Sequence, residues 1–301
     1  MRLHRGMVAA VCVSVLAVSA CGSSSQTKKP SPTPTPSPTT APTPSPTPVP
    51  TDAANFYLRW WTTSSLDPLE AFSTAPMVIS AGKLMTITWP DEADTYPLYV
   101  SPMSQTVSEA GIATIEEEAR NDGLLGTTTH FTCQHDPKAQ PITGSSVSHL
   151  VLNIDNQDYE MSADCAYEQP SPNAHPQPGT WAAYEKFENL ISDPKAWLGG
   201  ALGPKVAYVP DGLAVYAYPL SDSEDVPDDS VDWPLQPFAS FGSDYAGDGS
   251  RCGMVNGDDA RSLLAVVKPL TQDAIFVDQN GSPRHVMVRA LLPGEPDLCG
   301  N

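Results

Sequence analysis

Apolar positions divide the chain into stretches of different character. Met7 to Val18 is a 12-residue apolar run behind Arg2 and Arg5. A membrane-crossing helix needs ~20 such residues, so the run is too short to span and fits the core of a signal peptide. Residues 22–52 show no apolar periodicity. From about residue 53 onward, short alternating runs are interleaved with a few segments of helical period.

Within this body the pattern predicts the following elements. Asp52 is placed to cap a segment from Ala53 to Trp61, whose Phe56, Tyr57, Trp60 and Trp61 form one aromatic edge. Met77 to Thr88 reads as a hairpin broken at Ser80-Ala81-Gly82-Lys83, and Pro97 to Val100 as a short extended piece. Thr106-Val107-Ser108-Glu109 has the form of a capping box. It opens a helix over 108–121 with Ile112, Ile115 and Ala119 inward, Glu116 paired to Arg120 and Gly123 as the stop. Val147 to Ile154 and Tyr159 to Ala163 flank the turn residues Asp155 to Asp158. A second helix starts at Thr180, buries Tyr184, Phe187 and Ile191, and stops at Asp193-Pro194. Strands near Val206 to Val209 and Leu213 to Tyr218 follow, then an acidic loop from Ser221 to Asp232. Asp258 or Asp259 caps a helix reaching Val267, and Ala274 to Asp278 with Arg284 to Leu292 flank Asn280-Gly281, a hairpin signal. The fold class is α+β: antiparallel hairpins packed with a few helices. Two similar halves, about 75–165 and 205–300, emerge in outline, since each runs from extended pieces through a helix and a hairpin to a cysteine. A cleft between such halves is the default ligand site, with Trp60, Trp61, Trp181, Trp197 and Trp233 as candidates to line it.

Composition sharpens the two ends of this picture. Between Pro30 and Pro50 there are ten prolines in 21 residues, alternating with Ser and Thr. Proline fixes φ and lacks a donor, so helix and sheet are excluded and polyproline II is expected. At ~3.1 Å per residue, residues 24–52 would reach ~80–90 Å. Val18-Ser19-Ala20-Cys21-Gly22 joins the signal core to this stalk and has the form of a bacterial lipobox, in which the cysteine after the cut carries lipid. The expected organisation is a signal peptide over 1–20, a lipidated Cys21 with a Pro/Ser/Thr linker over 21–52, and a globular body over 53–301. The expected location is the extracytoplasmic face of the cell membrane, held by the lipid on Cys21.

The chain holds 16 Lys and Arg against 35 Asp and Glu, a net −19. Removing residues 1–20 takes away two Arg and no carboxylate, leaving −21. That sign repels phosphate backbones, so nucleic acid is not an expected partner. An envelope ligand or protein partner is. With Cys12 in the signal and Cys21 lipidated, Cys133, Cys165, Cys252 and Cys299 remain, an even count that reads as two disulfides in an exported domain. Three connectivities exist; the two-half outline favours Cys133–Cys165 and Cys252–Cys299. Loops of ~33 and ~48 residues would each add roughly 3–4 kcal/mol by the loop-entropy model.

Signatures of catalysis are missing. No Gly-x-Ser-x-Gly, P-loop or His-Glu-x-x-His occurs. Ser-x-x-Lys appears at Ser80 to Lys83, in a turn, and at Ser192 to Lys195, where Pro194 interrupts it. His130, Cys133 and His135 have zinc-ligand chemistry, but a cysteine with a disulfide partner does not ligate. His149 and His285 fall on predicted strands. Asp222, Glu224, Asp225, Asp228, Asp229 and Asp232 offer oxygen ligands for calcium without the EF-hand order. The reading is therefore of no catalytic residues, no cofactor and no metal, and of a non-enzymatic binding module at the cell surface. An envelope hydrolase whose site is assembled from distant residues, and a structural accessory subunit, are the alternatives.

Several segments together resemble a known group. They are Met77 to Gly82, Ala119 to Gly126, Pro178-Gly179-Thr180, Trp233-Pro234-Leu235 with Phe241-Gly242 before Arg251-Cys252, Gln272 to Asp278, and Leu291 to Pro296. The combination resembles uncharacterised secreted proteins and lipoproteins of actinomycetes and some other bacteria. That resemblance implies no activity and no site residues.

Overall fold

A computed structural model describes residues 55–63, 76–88, 90, 96–132, 146–166, 177–221, 223–245 and 247–299, with backbone alone at 165 and 166. The signal segment, Cys21, the linker, Asp52, Cys133, His135, Asp222 and the side chain of Cys165 lie outside the described residues. Residues 48–301 form one compact unit.

The unit contains two sheets. The first has eight strands in the order β5-β7-β6-β1-β2-β3-β4-β8. These are β1 Tyr57–Thr63, β2 Met77–Ser80, β3 Lys83–Thr86, β4 Met103–Thr106, β5 His130–Phe131, β6 Ser146–Ile154, β7 Gln157–Ala166 and β8 Val206–Ala207. The second has the order β10-β13-β14-β9-β12-β11. Its strands are β9 Gly212–Pro219, β10 Val231–Asp232, β11 Ser243–Asp244, β12 Arg251–Asn256, β13 Ile275–Val277 and β14 Pro283–Ala290. Pairing is antiparallel except for β5–β7 and β10–β13. The α+β class is as the pattern predicts.

Helices α1 Glu109–Asn121, α2 Trp181–Ser192 and α3 Pro194–Leu198 cover one face of the first sheet. Ile112, Ile115 and Ala119 of α1 and Tyr184, Phe187 and Ile191 of α2 pack on Leu58, Ile79, Leu84, Leu150, Leu152 and Ile154. Each helix starts at a side-chain cap: Ser108 Oγ accepts from Gly111 N and Thr180 Oγ1 from Ala183 N. The capping-box register is thus shifted, because Thr106 is taken by β4. Gly123 ends α1 at φ +69°, and a Cβ there would lie 2.5 Å from Gly179 N, so no other residue fits. Arg120 reaches Asp155 at 2.8 Å, and Glu116 is turned inward at 3 % exposure.

Helix α4, Gly257–Val267, covers one face of the second sheet through Ala260, Leu263 and Val267. Asn256 holds the cap position; Asp258 and Asp259 sit in the first turn, where their charge suits the helix dipole. The opposite face packs Ala214 and Tyr216 against Cys252 and Cys299. Covered on both sides, β9 is buried from Gly212 through Ala217, which is why it reads as an unbroken apolar run. Cys252 and Cys299 form a disulfide. The Cys133–Cys165 pairing lies outside the described residues.

Several expectations are corrected or refined. The segment around Trp60 is strand β1, not a capped helix, and Trp60 and Trp61 point to opposite faces. The Asn280-Gly281 hairpin closes with a longer loop: Asp278 N donates to Ser282 O, and Asp278 Oδ1 accepts from the amides of Asn280 and Ser282. The halves share an order of elements but not a topology. In the first, the leading hairpin strand β6 docks on β1; in the second, the trailing strand β14 docks on β9. The piece at 97–99 also crosses over: Leu98 N donates to Leu270 O, and Leu98 and Tyr99 belong to the second core. Strand β8, placed in the expected second half by its position in the sequence, pairs with β4 in the first sheet.

Candidate functional site

Strand alternation sends Leu58, Trp60 and Thr62 toward the helices and Tyr57, Arg59, Trp61 and Thr63 to the other face. On the helix side, Trp60 Nε1 donates to Ser148 Oγ at 3.0 Å and to Glu188 Oε1 at 3.1 Å. Ser148 Oγ and Tyr184 Oη share a hydrogen bond of 3.1 Å. Burial pushes the Glu188 carboxyl up against the lowering effect of its hydrogen bonds, and pushes the Tyr184 phenol up as well. Ser148 and Tyr184 are fully buried, so this cluster satisfies polar groups in the core and is closed to a ligand.

The outer face is different. The Arg59 guanidinium lies 3.8 Å over the Trp61 ring. Trp61 in turn stacks on His149 with centroids 4.8 Å apart and planes 11° from parallel. His149 Nε2 and Thr63 Oγ1 are 2.8 Å apart. Burial, helped by the Arg59 charge, lowers the His149 pKa, so the ring is neutral near pH 7. The register extends this layer across the sheet: Trp61 opposes His149, His149 opposes Ser162, and Ser162 opposes His130. His130 Nδ1 contacts Ser162 Oγ at 2.9 Å and its Nε2 lies 3.3 Å from Asp164.

The C-terminal segment closes over one end of this face. Past β14 the chain turns at Leu292 to Glu295. Gly294 at φ +74° lies so near Tyr57 that a Cβ would be 2.7 Å from its hydroxyl, and Tyr57 Oη donates to Pro293 O at 3.3 Å. Glu295 Oε2 accepts from Leu292 N at 2.7 Å, and Glu295 Oε1 accepts from Arg289 Nη2 at 2.7 Å. This ion pair is almost wholly enclosed, with side-chain exposures of 2 % and 4 %. Burial lowers the Arg289 pKa; Glu295 opposes that shift and Arg59 adds to it.

Between the segment and the sheet lies a cleft of about 80 Å³. Arg59, Trp61, Thr63 and Pro76 form one wall, and Arg289, Glu295, Pro296 and Leu298 the other. Arg59 Nε, Arg289 Nε and Arg289 Nη1 are buried there with no hydrogen-bond partner. Arg59 and Trp61 also line a broader groove of about 460 Å³, together with Thr129, His149, Val151, Glu160, Met161 and Ser162.

Of the five candidate tryptophans, Trp61 alone lines this cleft. Trp60, Trp181 and Trp197 pack against the first core and Trp233 is in the second. His285 lies elsewhere, 2.7 Å from Glu224 of the acidic loop and stacked on Tyr218. Both Ser-x-x-Lys spacings fall in turns or helix ends, as expected. Among the described residues no three His, Cys, Asp or Glu side chains converge as a metal site requires. Arg59, Arg289 and Glu295 escape sequence reasoning. The available signal was Arg289 itself, a charge inside the apolar run Val286 to Leu292.

No protein-family model, curated protein or solved structure matches this chain. The function therefore has to be argued from the site.

Proposed function

We propose that the protein is a lipid-anchored, extracytoplasmic binding module whose ligand site is the cleft and groove around Arg59 and Trp61. The observation that carries this reading is the set of buried, unpartnered guanidinium N–H groups on Arg59 and Arg289, two residues that line the cleft beside a stacked aromatic. Buried donors without acceptors cost free energy, and an arriving acceptor removes that cost. Trp61 supplies a planar apolar surface, and the groove leaves room for the rest of a larger ligand. A lipid on Cys21 would keep the body at the outer face of the membrane, where envelope components are.

The alternative of an envelope hydrolase finds one supporting contact, Thr63 to His149 at 2.8 Å, a hydroxyl beside a neutral imidazole. A hydroxyl nucleophile also needs a group that orients the base, and none is recorded for His149 among the described residues. Binding is the stronger reading.

The test has two arms. Cys21→Ala should move the protein from the membrane fraction to the soluble one; retention at the membrane would refute the anchor. The soluble Cys21→Ser chain should co-sediment with envelope material isolated from the producing cells, and adding Trp61→Ala should abolish that. Equal sedimentation of the two chains would refute the site; sedimentation by neither would refute the envelope role.

A further inference from the structure

We infer that the deep end of the cleft is a subsite for a single carboxylate, held by Arg289 and Arg59. This rests on the reading above that the cleft is where ligand binds. Three observations select the chemistry.

The first is charge. Arg59 and Arg289 carry two positive charges into the cleft, and Glu295 is the one carboxylate among its lining residues. His149 is held neutral by burial and Arg59. Glu160 stands in the same cross-strand row as Arg59, with Val151 between them, about 10 Å away at the usual strand spacing. One positive charge therefore remains uncompensated at the cleft. A monoanion neutralises it, and a dianion overshoots.

The second is the donor set. Glu295 occupies Nη2 of Arg289, leaving Nε and Nη1 free on that side and Nε of Arg59 free on the other. Arg289 is only 3 % exposed, so its free donors cannot turn out to bulk solvent. Acceptor oxygens must come to them. Carboxylate oxygens accept such charge-assisted bonds with short, strong geometry.

The third is size and lining. The cleft, about 80 Å³, is much smaller than the neighbouring groove of about 460 Å³. The cleft suits a small group such as a carboxylate, and the groove leaves room for a larger body. Pro76, Pro296, Leu298 and the Trp61 ring make most of the remaining lining apolar, and the Thr63 hydroxyl is engaged with His149 at 2.8 Å. The ligand is therefore a carboxylate carried on a small apolar substituent, with any larger body lying out along the groove.

The experiment uses the Cys21→Ser chain and sodium acetate, with N-acetylalanine as the substituted probe. Arginine Nε–H and tryptophan indole resonances are followed by NMR at constant ionic strength, with chloride, acetamide and phosphate titrated in parallel. Acetate should give saturable shifts of two arginine Nε–H signals and one indole, assigned by Arg59→Lys and Trp61→Phe. N-acetylalanine should bind more tightly. Arg59→Gln should weaken acetate by about tenfold, the worth of one charge-assisted hydrogen bond. No saturable shift with acetate would mean the donors are satisfied by water only, and the inference falls. Shifts matched by chloride or acetamide, or phosphate binding more tightly than acetate, would overturn the carboxylate assignment. The wild-type titration needs no variant to fold. If acetate binds but envelope sedimentation fails, the subsite stands and the envelope role falls. If sedimentation depends on Trp61 but acetate does not bind, the reverse holds.

Discussion

Removing the Cys252–Cys299 disulfide should weaken the body and open the cleft together, by amounts that can be separated. The bond links residues 47 apart. Closing a loop of that size removes unfolded-state entropy worth about 4 kcal/mol at 25 °C. For a body of this size that corresponds to a loss on the order of 10 °C in midpoint. The native-state consequence is local. Cys299 sits at the end of the segment that forms the second wall of the cleft, and residues 291–298 reach the rest of the body through few bonds. Leu291 N donates to Gly212 O at 3.0 Å, Arg289 Nη2 to Glu295 Oε1 at 2.7 Å, and Tyr57 Oη to Pro293 O at 3.3 Å. The perturbation is Cys252→Ala with Cys299→Ala, which leaves the other cysteines untouched. The assays are thermal unfolding by circular dichroism and amide exchange resolved by residue. The midpoint should fall by the stated amount. Amides of 291–298 should lose protection at conditions where β9, β12 and β14 keep theirs. A midpoint within a degree of wild type would refute the loop-entropy argument. Unchanged exchange over 291–298 would refute the claim that the disulfide holds the cleft wall.

Glu295→Leu should destabilise the body by about 3–5 kcal/mol in urea unfolding, because it leaves the buried Arg289 charge uncompensated; Arg289→Met with Glu295→Leu should recover most of that loss. Gly294→Ala should lower stability by more than the ~1 kcal/mol of the backbone term alone, because its Cβ meets Tyr57 as well as a φ of +74°; adding Tyr57→Ala should relieve the steric part in thermal melts. Asp278 has a pKa below the usual carboxylate value: burial raises it, but the amides of Ser282, Phe238 and Asn280 and the charge of Arg284 outweigh that. Its contribution is therefore present above its unfolded value of 3.8 and fades as pH falls through the lower folded value. Asp278→Asn should be less stable than wild type at pH 7, and urea titrations should show the gap closing as pH falls below 4.

The hairpins were legible because each lies in one register with one buried face. Leu150, Leu152 and Ile154 alternate inward along β6, and left-handed Asp155 and Asn156, at φ 55° and 60°, supply the tight turn. The helices were legible from caps and spacing. Strand β1 was not, because Phe56, Tyr57, Trp60 and Trp61 fit helical spacing as well as a strand with both faces covered. Only the partners β2 and β6 decide between them. The sheet to which β8 and residues 97–99 belong is set by pairings across roughly a hundred residues or more, and local pattern carries no such information. The cleft is hidden for the same reason. Arg59 is separated from Arg289 and Glu295 by most of the body; Arg59 and Glu295 each read as a surface charge, and Arg289, though set in an apolar run, does not name its neighbours. Only the fold makes them one enclosed group.

The way the C-terminal segment is held bears on what the cleft is for. Here three independent devices hold residues 291–299: the disulfide to β12, the enclosed Arg289–Glu295 pair, and the Gly294 turn seated on Tyr57. The ion pair is a costly way to anchor a segment, since apolar residues of similar volume usually hold as well without the desolvation penalty. It is also incomplete, because two of the three Arg289 nitrogens are left without acceptors. A purely structural pair would be expected to satisfy its own donors. A pair that keeps donors in reserve, on a wall fixed rigidly against Trp61, is arranged to receive something. The acidic surface of the body strengthens that logic. Charge of the same sign as the ligand repels polyanions at long range but is screened within about 8 Å at physiological salt. A single carboxylate that reaches the cleft then meets the local positive charge, and the site discriminates by reach as well as by contact.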